Sequence, residues 1–157
     1  MPDQLNDMDL LSSEELAYIA GFFDGEGYIG IVMNHGLRLI VSITNTKVEI
    51  LYWLKDLFGG SVCNGQRPSQ NQKPIYVWTI VSREAAIFIY RIQPYLRLKE
   101  EQSELGLEFQ RTKNWGGNNS RHPVSEETSE YRNFLRAKIM ELNKRGIKES
   151  LIKGGVS

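Results

Sequence analysis

Asp24 and Glu26 stand two residues apart in the run "IAGFFDGEGYIGI", Ile19 to Ile31. Three glycines, Gly21, Gly25 and Gly27, share seven residues with them. Each glycine costs a helix interior about 1 kcal/mol relative to alanine. A helix is nevertheless expected here, because Ser12 and Glu15 form a capping-box pattern ahead of "LAYIAGFFDG". It should run from about Ser13 to about Gly25 and end on glycine. The two acids then sit at its C-terminus, where the helix dipole disfavours a carboxylate by roughly 0.3–1 kcal/mol. A cation should offset this. No Lys or Arg lies nearer in sequence than Arg38, so a divalent metal is the alternative. Mg²⁺ suits the site, since it typically takes one or two carboxylates with phosphate and water.

The glycines fall into a second pattern. Ala17, Gly21 and Gly25 recur every four residues, so one face of the helix is a small-residue stripe. Such a stripe lets another backbone approach closely. It could pack on a helix of the same chain or on a second copy of itself. In the second case each helix brings its acid to the same end. Two metal sites would then lie close together, an arrangement suited to cutting both strands of a duplex.

The elements around this helix read as α-β-β-α-β-β-α-α-α. "YIGIVMN" and "LRLIVSITN" read as a hairpin, and "SVCNGQ" with "IYVWTIV" as a looser one. Thr46 with Glu49 suggests a second capping box, and Ser82 and Ser125 suggest caps for later helices. "LRLKEEQSELGLEFQRT" reads as a helix, and the last one begins at Ser125. The expected fold is α/β, of the α+β kind: an antiparallel four-stranded sheet with helices on one face, plus C-terminal helices. One domain spans 1–157, with a core at about 13–111 and a C-terminal helix at about 125–145.

The other sheet face must meet solvent or a partner. Strand parity sends Ile29, Ile31, Met33, Leu39, Val41 and Ile43 inward. It sends Tyr28, Gly30, Val32, Asn34, Arg38, Ile40, Ser42 and Thr44 outward. Ser61 and Cys63 share one parity on the third strand, and Arg67 and Lys73 lie near its end. The faces of the fourth strand are too alike to assign.

Composition narrows the function classes. The chain has 157 residues and zero net charge, with 41% hydrophobic and 24% charged residues. No run approaches the roughly 18 apolar residues needed to cross a bilayer, so no membrane role is expected. The start "MPDQLNDMDLL" is neither a signal nor a transit peptide. Cys63 is the only cysteine, and His35 and His122 are the only histidines; they make no zinc site of usual spacing. Charge is unevenly spread. Residues 1–27 carry seven acids and no Lys or Arg, whereas residues 28–83 carry six Lys or Arg against two acids. The basic middle could form one positive face for nucleic acid.

"IAGFFDGEG" resembles the LAGLIDADG motif of homing endonucleases, keeping Ala20, Gly21, Asp24 and Gly27 with Glu26 as the final acid. "SITNTKVEILYWLKDLFGG" is similar to the family's second-helix region, and "IQPYLRLKEEQ" to its lysine-bearing segment. The resemblance covers roughly Leu16 to Arg111 and includes one copy of the motif, the mark of the homodimeric type. It implies a site-specific endonuclease that hydrolyses both strands of a long, partly palindromic DNA duplex. Glu26 would be the metal ligand, assisted by the Gly25 carbonyl, and Lys99 would counter charge on the scissile phosphate. Asn45 would order solvent nearby, although relatives often carry Gln there. Asp24 would buttress the helix end at the dimer interface, beside Ala17, Gly21 and Gly25. Mg²⁺ is the implied cofactor, with Mn²⁺ as a substitute and Ca²⁺ binding without cleavage. The outward strand residues would read DNA. An intron RNA maturase and a non-cleaving DNA-binding regulator are the alternatives. The implied location is intracellular, in an organelle or in a bacterium or phage.

Overall fold

A computed structural model describes residues 10–65, 69–113 and 123–144. The first helix, α1, is Ser13–Glu26. Its capping box forms as expected: Ser12 Oγ accepts from the Glu15 amide at 3.2 Å, and Glu15 Oε2 accepts from the Ser12 amide at 2.9 Å. The end differs from expectation. Gly27 has φ −87° and extended backbone, so the helix has no left-handed glycine cap and passes directly into β1 (Gly27–Met33). Glycine is required there for space, because a Cβ would lie 2.2 Å from the Phe23 ring.

The remaining elements are β2 (Leu37–Asn45), α2 (Val48–Phe58), β3 (Ser61–Asn64), β4 (Tyr76–Val81), α3 (Ser82–Ile92), α4 (Glu100–Thr112) and α5 (Glu126–Asn143). A 3-10 turn, Gln93–Tyr95, extends α3. The strands form one antiparallel sheet in the order β1-β2-β4-β3. This is the expected fold class.

Alternation along β2 places Leu39, Val41 and Ile43 fully inside. Ile29, Ile31, Trp78 and Ile80 join them under the helices. Phe88 on α3 centres the core and meets Phe23, Phe58 and Trp78 edge-on at 4.9–5.3 Å between ring centroids. Such aromatic contacts contribute about 0.5–1.5 kcal/mol each beyond area burial.

Several local expectations fail for identifiable reasons. Met33, placed inward by parity, is 61% exposed, since it is the last residue of its strand. Thr46 and Glu49 form no box: Lys47 is the N-cap without a side-chain bond, and Asn45 Oδ1 accepts from the Lys47 amide at 2.8 Å. The Asn side chain satisfies the turn first. Ser82 does not cap α3 either. It sits at φ +54° directly after β4, and Val81 is the N-cap. Residues 96–99 precede α4 rather than belonging to it. Ser125 does cap α5, accepting from the Thr128 amide at 3.2 Å.

Helix α5 closes the outer edge of β1. Asn143 Nδ2 donates to the Ile29 carbonyl at 2.9 Å, and Arg136 Nε donates to the Ile31 carbonyl at 3.2 Å. Its base is fixed by buried Arg132, which donates to Thr112 Oγ1 and O at 2.9 and 2.8 Å.

Candidate active site and nucleic-acid interface

The two acids that end α1 have opposite surroundings. Asp24 is 9% exposed. Its carboxylate accepts three backbone amides, Arg97 at 2.8 Å and Leu98 and Lys99 at 3.1 Å each. The carboxylate thereby caps the approach to α4, where Lys99 is the N-cap without a side-chain bond of its own. Lys99 Nζ returns a bond to the Asp24 carbonyl at 2.5 Å. The cation missing from the sequence around the helix end is therefore Lys99, 75 residues on. Glu26 is exposed. It makes no hydrogen bond or ion pair with any described residue.

Asn45 ends β2. Gly27 pairs with Ile43, so Asn45 and Glu26 share the end of the sheet where α1 enters. Its Oδ1 is engaged with Lys47. Among the described residues, no group of three or more His, Cys, Asp or Glu side chains could hold a metal. Within one chain, the expected ligands are the exposed Glu26 carboxylate and the Gly25 carbonyl one residue before it. That set suits a hard cation that completes its shell with water and phosphate.

Ala17, Gly21 and Gly25 are all exposed. A Cβ placed on Gly21 or Gly25 would meet nothing within 4 Å. The stripe thus does not pack on any described helix of its own chain. Ala17 and Gly21 instead line one wall of a 480 Å³ groove whose other wall is Pro94–Arg97. Asp24, grouped with the stripe on sequence, also touches this groove, but its carboxylate is bound to its own chain.

The outer sheet face is organised in rows that cross the strands. Tyr28, Ser42, Thr79 and Ser61 form one row through all four. Thr44, Val77 and Cys63 form another, and Gly30, Ile40 and Val81 a third. Val32 pairs with Arg38 beyond them. Gly30 is buried because the Tyr28 ring lies over it, leaving 2.3 Å between a would-be Cβ and the phenol oxygen. Val77, Thr79 and Val81 were not picked out on sequence; setting the large Trp78 inward would have found them. Asn34 is exposed just past β1, and Lys73 is exposed between β3 and β4. Arg67 lies outside the described residues.

The β1–β2 hairpin end of the sheet brings Arg38, Lys113 and Arg132 within electrostatic reach of one another, Lys113 from the helix side. Lys113 Nζ donates to the Leu37 carbonyl at 2.8 Å and lies 5.1 Å from the Phe109 ring centroid. Burial first, then the charges of Arg132 and Arg38, hold its pKa below the usual lysine value.

No protein-family model matches the sequence, and no curated protein matches it significantly. Solved structures do match. The fold is that of the LAGLIDADG homing endonucleases. I-CvuI, a homing endonuclease solved in complex with its target in the presence of Ca, matches with TM-score 0.65 and 21% identity over 82% of each chain. I-Vdi141I, an archaeal intron-encoded homing endonuclease complexed with DNA, matches with TM-score 0.66 and 17% identity, covering 82% of this chain and 84% of its own. The LAGLIDADG homing endonuclease I-GzeII, complexed with its DNA target, matches with TM-score 0.54 and 20% identity, and only 43% of that longer chain is covered.

Proposed function

We propose that the protein is a site-specific homing endonuclease that works as a homodimer with Mg²⁺. Its substrate is a long, partly palindromic DNA duplex, and it hydrolyses one phosphodiester in each strand. The observation that carries this reading is the end of α1: an exposed, unpartnered Glu26 terminates a helix whose small-residue stripe is also exposed. The relatives of like fold were solved with DNA and, for I-CvuI, with Ca or Mg.

In this mechanism two copies seat their stripes against one another, so both Glu26 carboxylates reach the same place. Glu26 and the Gly25 carbonyl would hold the metal, which would supply activation of water and stabilisation of the leaving oxygen. Lys99 places a positive charge beside the scissile phosphate. Asn45, at the same end of the sheet, orders solvent with its amide nitrogen while its oxygen keeps the turn. The outer-face rows lie in the major groove, where side chains read base edges. Arg38 and Lys73 add positive charge along the backbone. The protein acts inside the cell or organelle that carries its target.

Selection of cleaved sites from a randomised duplex library with Mg²⁺ tests the proposal. A palindromic consensus cut on both strands is expected; no cutting by a folded dimer would refute it. Affinity should also fall linearly with the logarithm of salt between about 50 and 200 mM.

One observation favours a second reading, binding of host intron RNA as a maturase. Arg83, Arg91 and Arg111 surround Ile87 and Tyr90 in a 350 Å³ groove on the helix side. That is basic and aromatic surface away from the sheet face. Intron-specific RNA binding undiminished by Arg38→Ala but lost with Arg83→Ala would support it.

A further inference from the structure

Asp24 and Lys99 are joined twice. The Asp24 carboxylate holds the amides of Arg97, Leu98 and Lys99, and the Lys99 ammonium holds the Asp24 carbonyl. Three amides on one carboxylate fix the backbone of a segment that belongs to neither α3 nor α4. Leu96 anchors the start of the segment in the core, whereas Arg97 and Leu98 are exposed, so the part after Leu96 is held by hydrogen bonds more than by packing. The three amide bonds to Asp24 tether that part to α1. Glu26 follows Asp24 by two residues on the same helix.

We propose that Asp24 is a positioning residue. It sets the Lys99 side chain relative to Glu26 by clamping the backbone from which Lys99 springs. The proposal rests on the reading of Lys99 as a group that faces the scissile phosphate. It assigns Asp24 no contact with DNA or metal. Charge-assisted bonds to a carboxylate are roughly twice as strong as neutral ones, which gives the clamp its stiffness. Asparagine in its place would keep one acceptor oxygen but turn an N–H toward an amide, so at least one bond is lost. The clamp also borders the groove beside the stripe, lined by Asp24, Leu96 and Arg97 together with Gly21.

The test uses Asp24→Asn, Lys99→Met and the double variant, each as the full chain. Amide hydrogen exchange of Arg97, Leu98 and Lys99 is measured first, without DNA or metal. Protection in the wild type that falls in Asp24→Asn, with the core amides of β2 unchanged, establishes the clamp whatever the protein cuts. Unchanged exchange at these three amides overturns it. Single-turnover cleavage of the selected duplex with Mg²⁺ is then compared with DNA affinity. Asp24→Asn should slow cleavage about 10–100-fold, the usual cost of losing a supporting hydrogen bond behind a site residue, while affinity holds. The double variant should be no slower than Lys99→Met alone. Multiplying losses would show that Asp24 does not act through Lys99 and overturn the proposal. If Asp24→Asn fails to fold, Asp24→Glu takes its place: it keeps the charge but displaces the clamp, and the same non-multiplying pattern with Lys99→Met is required. A folded protein with an intact clamp that cuts no duplex would instead refute the nuclease reading alone.

Discussion

The end of α1 and the outer face of the sheet are built on different terms. At the helix end, four hydrogen bonds link residues 73 to 75 apart in sequence. On the outer face, residues such as Tyr28, Ser42, Thr79 and Ser61 are held by the strand ladder. Their side chains make no hydrogen bond with any described residue. Residues that must keep one geometry are fixed through tertiary bonds. On the proposed function, the residues that match a partner are the ones left open, so one can be exchanged without unfolding its neighbours, and chemistry and recognition would be separable.

Four substitutions can break or sharpen that contrast. Glu26→Gln has the largest expected effect. Cutting with Mg²⁺ should fall to background while DNA affinity is kept or rises, because a like charge beside phosphate is removed. Full cutting in a gel assay would take Glu26 out of the mechanism. Gly21→Leu comes next. A large side chain on the stripe imposes an overpacking cost of typically ~1–3 kcal/mol. The monomer should remain folded, since the site is open within one chain, yet dimer and tight DNA binding should be lost together. A wild-type protein that is monomeric by light scattering, free and with DNA, would contradict this.

Arg38→Ala should cost about 1–3 kcal/mol of base preference at one position if Arg38 reaches a guanine edge. Equal weakening on all sequences would assign it to phosphate. Thr79→Val should have the smallest effect on the protein itself, within about 0.5 kcal/mol of stability by denaturant melts, as for other surface substitutions. It should nonetheless alter preference at one base step in a competition assay. If it instead destabilised the fold by several times that amount, the outer face would not be the open region described above.

Sequence rules worked where the deciding partner was local. Ser12 with Glu15 and Ser125 with Thr128 are three residues apart, and strict alternation set both faces of β2. They failed where a second local bond competed, as when Asn45 took the turn that Thr46 was expected to open. They failed again where a strand ran directly into a helix at Ser82. The stripe was legible as a spacing, but its exposure was not, since only the packed chain shows which face stays open. Lys99 was legible by resemblance alone. No spacing rule connects it with Asp24, because the connection is made by the route of the chain through two hairpins, two helices and a 3-10 turn. β4 had no legible face because Val77, Trp78, Thr79, Ile80 and Val81 are all good strand formers.

The bonds from α5 to β1 have a temporal side. An open strand edge offers unpaired carbonyls and amides to any other extended chain. Here the strand made early is sealed by the helix made late: Ile31 and Ile29 emerge from the ribosome 105 and 114 residues ahead of the side chains that cover them. At synthesis rates of about 5–20 residues per second, the edge stays uncovered for several seconds in every round of translation. During that interval the Ile29 and Ile31 carbonyls are without the α5 donors that cover them in the finished fold.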